Sequence, residues 1–396
     1  MYSEITIVVV AFNRPKSLLR ILSSICNANY GKDSVRLVIS IDKASNNNDV
    51  IDIANEFKWD FGEKIVNVQE TNLGLKKHII QCGDLTEKYG NIILLEDDLF
   101  VSKEFYNYAK DALNYYSENN EIAGISLYSH RFNETAGLPF QPISDGYDNF
   151  FMQLPSSWGQ LWTEKQWKQF KEWYIRNSEN NTRFNSNLPN NIKNWPDSSW
   201  KKYFTLYMIE ENKFFVYPFT SYTTNFGDIG KHYWKTNTTL QVPINNVGKK
   251  HCFSNLEETD SIYDAYCENI NLYKYLILES PDDILVDLYG GKKEYKNKRY
   301  IITTKILNYK IIKSYSMSLK PLEENIIRDI SGDQVYIYDT FEKEIKGGLK
   351  DNENLHHQLE YYYPGMDIRK AFKLLFNLYT VKLIWKAIKV KILKAR

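Results

Sequence analysis

The chain has 396 residues, of which 43% are hydrophobic and 25% are charged, and its formal net charge is only +1 at pH 7. These values are typical of a globular protein of two or three domains and argue against a disordered chain. The charge is unevenly distributed, because residues 365–396 carry a net charge of +8 and residues 1–364 a net charge of −7. A mildly acidic body lacks the electrostatic footprint of a nucleic-acid-binding protein.

The cysteines indicate the redox compartment. The four of them are widely spaced and show no paired zinc-type spacing: Cys26, Cys82, Cys252 and Cys267. We therefore expect reduced thiols in a cytoplasmic protein. No basic-then-apolar leader precedes the first predicted strand, and no uninterrupted apolar run is long enough to span a bilayer. We accordingly expect neither a signal peptide nor a transmembrane helix.

Strands alternate with helices in the first 130 residues. Apolar runs at 5–12, 35–42, 64–68, 91–95 and 121–127 predict strands, and the stretches between them have the apolar spacing of helices. Such alternation favours βαβ units and right-handed crossovers. The sequence therefore predicts an α/β fold with a doubly wound, mainly parallel sheet.

Charged side chains stand where three of these strands end. Arg14 follows the first strand, Asp42 ends the second, and Glu96, Asp97 and Asp98 follow the run at 91–95. In a doubly wound sheet, ligands bind outside the carboxyl ends of the strands. We therefore expect these side chains to converge on one ligand site.

The acidic run predicts a site for a divalent cation bound to a diphosphate, either Mn²⁺ or Mg²⁺. Hard cations prefer oxygen ligands, and a cation held by a diphosphate needs only one or two protein carboxylates. The alternative is an acidic loop after a strand. Neither a P-loop nor a Gly-x-Gly-x-x-Gly fingerprint is present in the sequence, which argues against a P-loop nucleotidase and a dinucleotide cofactor.

The C-terminal part of the chain differs in pattern. Short strands around charged turns predict a small accessory α/β unit at 281–345, and 346–365 has the composition of a polar linker. Residues 368–393 alternate Lys or Arg with large apolar side chains and predict a basic amphipathic helix. Such a helix is typical of an anchor on an anionic membrane surface. The alternative is a helix that docks on a partner or on a second copy.

Residues 1–235 resemble the glycosyltransferases of the GT-A fold, close in pattern to N-acetylglucosaminyltransferase I and its bacterial relatives. The run Glu96-Asp97-Asp98-Leu99 resembles that family's Glu-Asp-Asp-Leu version of the Asp-x-Asp motif. The resemblance implies that Asp98 is the direct metal ligand. It also implies that Asp97 binds the ribose and that Glu96 faces the donor sugar.

The resemblance extends to further positions. Arg14 corresponds to an arginine after the first strand, and Asp42 and His78 to side chains that contact uracil. The aromatic segment 151–162 is similar to the one that shapes the acceptor side. Residues 225–232 resemble the loop that closes over the donor, in which His232 is either a second metal ligand or a lid residue.

One departure concerns the catalytic base. The segment 195–202 resembles the family's Trp-Pro-x-x-x-Trp-Asp-Asp stretch, but Lys201 and Lys202 stand where the family has its aspartates. Asp197 is the nearest carboxylate and is our predicted base, with Asp228 as the second choice. A helix N-cap is the alternative role for Asp197.

These features together predict a metal-dependent glycosyltransferase. It moves a sugar, GlcNAc-like or another hexose, from a UDP-sugar to a hydroxyl of a glycan or lipid-linked glycan in surface polysaccharide synthesis. Inversion of the anomeric centre is implied by the resemblance alone. We predict four segments: a nucleotide-sugar half at 1–130, an acceptor half at 131–280, the accessory unit at 281–345, and the linker with the basic helix at 346–396. The chain would lie at the inner face of the membrane. The alternatives are a sugar-phosphate nucleotidyltransferase and a non-catalytic glycan-binding protein.

Overall fold

The computed structural model describes most of the chain. The described residues are 5–178, 188–228, 238–276, 278, 283–293, 295, 298–344, 351–365, 368–378, 380–382 and 384–385. The strands among them are β1 (Ile5–Ala11), β2 (Leu37–Ile41), β3 (Lys64–Val68), β4 (Asn91–Glu96), β5 (Leu99–Val101), β6 (Ile122–Ser126), β7 (Phe132–Asn133), β8 (Leu138–Pro139), β9 (Asn149–Met152), β10 (Gln160–Trp162), β11 (Phe214–Pro218), β12 (Thr223–Asn225), β13 (Ile262–Tyr263), β14 (Ile284–Asp287), β15 (Tyr300–Thr303), β16 (Lys310–Tyr315) and β17 (Val335–Asp339).

Helices form some of the connections between these strands. They are α1 (Pro15–Cys26), α2 (Asn48–Glu56), α3 (Gly74–Gly83), α4 (Thr86–Tyr89), α5 (Phe105–Tyr116), α6 (Glu164–Asn177), α7 (Asn190–Lys193), α8 (Trp200–Glu210), α9 (Glu323–Ile327), α10 (Asp351–Tyr362) and α11 (Ile368–Leu375). No helix in the described part of the chain is both long and apolar enough to cross a bilayer.

A nine-stranded sheet organises the first 263 residues, in the order β13-β9-β11-β6-β10-β4-β1-β2-β3. Strands β3, β2, β1 and β4 are parallel to one another. Strand β10 lies between β4 and β6 and is antiparallel to both. The predicted fold class, a doubly wound α/β fold with a mainly parallel sheet, is confirmed.

Both faces of this sheet are covered. Ile93 and Leu95 of β4 pack in one core with α1, α2 and α5, and Ile92 and Leu94 pack in a second core with α3, α6 and α8. Burial on both faces explains why the parallel strands are continuous apolar runs instead of alternating ones. Since side chains alternate along a strand, Glu96 continues the face of Ile92 and Leu94.

A separate four-stranded sheet, β14-β15-β17-β16, forms within the predicted accessory unit. Within the predicted polar linker at 346–365, residues 351–362 form helix α10. Tyr361 anchors this helix: its hydroxyl donates a hydrogen bond to the Leu319 carbonyl at 2.7 Å, and its ring packs against the core of the accessory sheet. The polar composition of 346–365 gave no indication of these contacts.

Two further expectations change in detail. Asn225, the first residue of the predicted closing loop at 225–232, belongs to β12, which is antiparallel to β5. The predicted helix at 368–393 is interrupted in its described part, because α11 ends at Leu375 and a turn follows.

Glu323 gives the accessory unit an expected pH response. Its side chain is 0% exposed, and neither carboxyl oxygen accepts a hydrogen bond from another residue in the described part of the chain. Burial raises the pKa of Glu323 from 4.5 to about 7. The folded state thus binds a proton more tightly than the unfolded chain. The stability from this group is complete below pH 4.5, falls as the pH rises to about 7, and is lost above that value.

Because of this group, we expect the free energy of unfolding to fall by about 3 kcal/mol between pH 4.5 and pH 8. Urea denaturation at pH 5 and pH 8 measures the loss, and Glu323→Gln should remove most of it. Glu324→Gln is the matched control, because the neighbouring carboxylate pairs with Arg328 at 2.6 Å. An unchanged pH slope in Glu323→Gln would show that Glu323 is not the group responsible.

Candidate active site

We call Glu96, Asp97 and Asp98 the acidic turn, which lies at the carboxyl end of β4. Glu96 is the last residue of this strand, Asp97 and Asp98 form the turn, and β5 follows. Arg14 enters the same place from the end of β1, the parallel neighbour of β4. The predicted convergence of these strand ends is therefore present for Arg14 and the acidic run.

The Arg14 guanidinium ties the two aspartates together. It forms an ion pair with Asp97, and its Nη1 lies 3.3 Å from Asp98 Oδ2. Asp97 is almost fully buried, whereas Arg14 and Asp98 are partly exposed. A buried carboxylate requires such a partner, because an unpaired charge in the interior is strongly unfavourable.

The electrostatics favour an added positive charge at this turn. The protein surrounding Glu96, together with the charges of Asp98 and Asp97, raises the pKa of Glu96 to about 8. Burial raises the pKa of Asp97 to about 6, although Arg14 opposes the rise. Burial alone would lower the pKa of Arg14, but these carboxylates outweigh it and raise that pKa. The charges of Arg14 and Lys201 oppose the rise in the pKa of Glu96 without cancelling it, so a further cation would be stabilised here.

Asp98 carries the best opening for a metal ion. Its Oδ1 is buried and has no hydrogen-bond partner in the described part of the chain. A carboxylate oxygen without a hydrogen-bond partner suits a cation that takes its other ligands from a diphosphate and water. Among the described residues, no group of three or more His, Cys, Asp or Glu side chains is placed to hold a metal. One carboxylate oxygen that has no partner in the described part of the chain, Asp98 Oδ1, fits a cation that is bound jointly with a ligand.

The segment after β12 reaches the acidic turn through its backbone. The Phe226 amide donates a hydrogen bond to the Asp98 carbonyl at 2.9 Å. Asp228 forms an ion pair with Arg20 and accepts a hydrogen bond from Ser17 Oγ at 2.8 Å. Both partners lie on α1, so this helix positions Asp228 beside the acidic turn. Sequence reasoning missed Arg20, because nothing in its neighbourhood marks a partner 208 residues away. His232 lies outside the described residues.

Asp42 is engaged with the backbone. Its Oδ1 accepts hydrogen bonds from the amides of Lys43 and Leu73 at 2.9 and 2.8 Å, and its Oδ2 from Gly74 at 3.0 Å. It is 4% exposed. The carboxylate thereby satisfies amides at the start of α3, a favourable place for negative charge. The contact of Asp42 with uracil stays a prediction.

His78 is a buried residue of α3. Its Nε2 lies 2.8 Å from Ser40 Oγ, and burial lowers its pKa. Beside Asp42, an open cleft of about 460 Å³ lies at the ends of β1 and β2. Its lining consists of Phe12, Asn13, Lys43, Ala44, Ser45, Asn46 and Asn72. This cleft is large enough for part of a nucleotide, and His78 is not in its lining.

Asp197 lies at the surface before α8. It forms an ion pair with Lys202 at 3.1 Å, and 65% of its side chain is exposed. No described contact joins Asp197 to the acidic turn, whereas Asp228 is close enough to Asp97 to affect its pKa. No side-chain N-cap hydrogen bond is present at α8. The role of Asp197 as a base stays a prediction.

Comparison with known proteins gives weak likenesses. No protein-family model and no curated protein sequence matches this chain. The crystal structure of S. aureus TarS 1–349 is similar with 15% identity and a TM-score of 0.36, over 56% of this chain and 59% of that one. TarS 1–349 in complex with UDP-GlcNAc is similar with 14% identity and a TM-score of 0.31, over 43% of this chain and 48% of that one. The mannosyltransferase PcManGT from Pyrobaculum calidifontis, in complex with GDP-Man and Mn²⁺, is similar with 8% identity and a TM-score of 0.31, over 44% of this chain and 47% of that one. The chain thus spans less than two thirds of each, and the assignment of an activity rests on the site.

Proposed function

We propose that this chain is a metal-dependent glycosyltransferase that moves a sugar from a UDP-sugar to a hydroxyl of a glycan acceptor. The observation that carries the proposal is the acidic turn at the end of β4, where buried Asp98 Oδ1 has no partner among the described residues. A cleft of about 460 Å³ at the neighbouring strand ends has room for part of the nucleotide. The alternating strand pattern and the Glu96-Asp97-Asp98-Leu99 run of the GT-A family are consistent with this activity.

Arg14 and each residue of the acidic turn have a separate role in this proposal. In the proposal Asp98 holds a divalent cation, Mn²⁺ or Mg²⁺, which supplies Lewis-acid stabilisation of the departing nucleoside diphosphate. Arg14 lies on the same turn and adds positive charge where the leaving group develops negative charge. Asp97 binds the ribose and Glu96 faces the donor sugar, as the family resemblance implies.

The acceptor hydroxyl needs a base if the reaction inverts the anomeric centre. Asp197 is the predicted base, but its carboxylate pairs with Lys202 at the surface. Asp228 is the second choice and lies beside the acidic turn, held by Arg20 and Ser17. Its hydrogen bonds to these two residues outweigh burial and lower its pKa, so it is ionised at neutral pH but weakly basic.

The four segments have assigned roles in this proposal. Residues 1–130 bind the nucleotide-sugar, 131–280 form the acceptor side, 281–345 are an accessory unit, and 346–396 carry the membrane-directed tail.

Thermal shift with UDP and a panel of UDP- and GDP-sugars, each with and without MnCl₂, tests donor binding. The proposal expects a UDP-sugar to raise Tm only when the metal is present. No shift with any nucleotide-sugar would contradict it.

The tail is proposed to bind an anionic membrane surface, which would place the enzyme at the inner face of the membrane beside a lipid-linked glycan. Large apolar side chains there are exposed, including Phe376 at 78%, Leu378 at 82% and Trp385 at 63%. Exposed Lys373 and Lys382 lie among them. Apolar side chains interleaved with cations match an acidic lipid surface better than a neutral partner.

Vesicle sedimentation tests this membrane contact. We expect the full chain to pellet with vesicles of phosphatidylglycerol and phosphatidylcholine, to bind pure phosphatidylcholine at least tenfold less well, and to be released by 0.5 M NaCl. A chain ending at Tyr363 should stay in the supernatant, as should full-length Phe376→Ser/Trp385→Ser. Equal pelleting of the shortened chain would overturn the proposal, as would tail-dependent dimers without affinity for vesicles.

A further inference from the structure

A second, narrow cleft lies on the face of the central sheet that carries Glu96. Its lining includes two indoles, Trp158 and Trp195, and several polar side chains, among them His130, Glu134 and Lys201. Trp158 lies two residues before Gln160, which pairs with Leu94 of β4. This antiparallel register places Trp158 beside the end of β4. We call this cavity the indole cleft; its water-accessible volume is about 20 Å³, room for about one water molecule.

Lys201 occupies the aromatic surface of the indole cleft. Its ammonium lies 4.8 Å from the ring centroid of Trp158 and 5.3 Å from that of Trp195. No carboxylate lies within ion-pair distance of this ammonium in the described part of the chain, although Glu134 lines the same cleft. The cation–π contacts with the two rings stabilise the charge in this position. A bound anion offers the ammonium a stronger interaction than either ring does.

His130 supplies a buried acceptor in the same cleft. The side chain is 6% exposed, and its Nε2 has no hydrogen-bond partner in the described part of the chain. The ring bonds to the backbone of Phe132, and burial lowers its pKa to about 3, so the imidazole is neutral. With Nδ1 as the donor to that backbone, Nε2 carries the lone pair. A buried acceptor without a partner is costly, and a ligand hydroxyl would satisfy it.

We infer that the indole cleft is an acceptor subsite that selects a sugar carrying an anionic group, a phosphate or a carboxylate. The anion draws Lys201 away from the indoles, which uncovers Trp158 and Trp195 for the apolar face of the sugar. A hydroxyl of the same sugar donates to His130 Nε2. A neutral sugar has to displace the ammonium without an ion pair in return, so it binds more weakly. The inference rests on the proposed function, since it assigns the acceptor class of that enzyme.

Ligand-observed NMR titration with glucose, glucose 6-phosphate and glucuronate tests this selection, because it needs neither donor nor turnover. We expect at least one anionic sugar to bind the full chain about tenfold more tightly than glucose. Lys201→Met should abolish the difference, Lys201→Arg should keep it, and His130→Phe should weaken all three sugars. Lys88→Met is the matched control, because Lys88 lies 5.0 Å from the Tyr89 ring near the start of β4, away from the cleft.

The inference is overturned if neither anionic sugar is preferred over glucose, or if Lys201→Met retains the preference. Preference for only one anion identifies it as phosphate or carboxylate and supports the inference. UDP with MnCl₂ is titrated separately against the unmodified chain. Absence of UDP binding in the unmodified chain contradicts the proposed function, whereas absence of the sugar preference contradicts only the acceptor subsite.

Discussion

Replacing Asp98 by asparagine is expected to lower kcat/KM for sugar transfer by about 10²–10³-fold, comparable with the loss of a main electrostatic stabiliser in other enzymes. The substitution keeps the size of the side chain but removes the negative charge and replaces one carboxyl oxygen by an amide group. Oδ1 of Asp98 is buried and has no partner among the described residues, and the amide oxygen of asparagine can still accept the 3.3 Å hydrogen bond that Oδ2 receives from Arg14 Nη1. We therefore expect Tm to change little. UDP release measured across a MnCl₂ series gives both the rate and the metal affinity.

Asp33→Asn is the matched control for this experiment. Like Asp98, Asp33 is a partly exposed aspartate with a cationic partner, in this case Lys110 at 2.6 Å. It lies before β2, at the amino end of the parallel strands. We expect its activity to stay within about twofold of the unmodified chain. If Asp98→Asn turns over donor at the unmodified rate, Asp98 is not the metal ligand and the acidic turn has another role.

Replacing Asp42 by alanine is expected to lower the free energy of unfolding by about 3 kcal/mol, because buried hydrogen bonds to a charged group are worth about 1.5–3 kcal/mol each and are not additive. The amides of Leu73 and Gly74 would lose their acceptor at the start of α3. Urea denaturation measures the loss. Asp42→Asn, which keeps one acceptor oxygen, should recover part of it.

The same pair of variants separates the two roles of Asp42. If it positions α3, both variants lose stability and bind UDP weakly only where they begin to unfold. If it contacts uracil, Asp42→Asn remains as stable as the unmodified chain and loses affinity for UDP with MnCl₂ at 10 °C. The second pattern would contradict the positioning role that the three backbone hydrogen bonds assign to it.

Sequence reasoning worked best where burial is complete on both sides. Strands β1, β2 and β4 are continuous apolar runs because helices cover both faces of the sheet, and that pattern is visible without tertiary information. The meeting of Arg14 with the acidic turn followed from the parallel order of the strands. The position of Glu96 on the same face as Leu94 also follows from strand geometry alone.

The remaining features depend on contacts that sequence spacing does not encode. A carboxylate that ends a strand can face a ligand or bind backbone amides, and Asp42 binds amides 31 and 32 residues away. Helix α10 is polar in composition, yet Tyr361 attaches it to the accessory unit through a hydrogen bond to the Leu319 carbonyl. The approach of Asp228 to the acidic turn depends on its pairing with Arg20, which no local pattern predicts.

The most direct test of the proposed transferase is the product formed from a nucleotide-sugar. The full chain is incubated with UDP-GlcNAc, UDP-glucose and UDP-galactose in MnCl₂ or in EDTA, with a panel of glycosides and sugar phosphates as acceptors, and UDP and pyrophosphate are quantified by chromatography. The proposal predicts acceptor-dependent release of UDP from at least one donor in MnCl₂ and none in EDTA. Formation or consumption of pyrophosphate would identify a nucleotidyltransferase. Absence of UDP with every donor and acceptor would contradict the proposal.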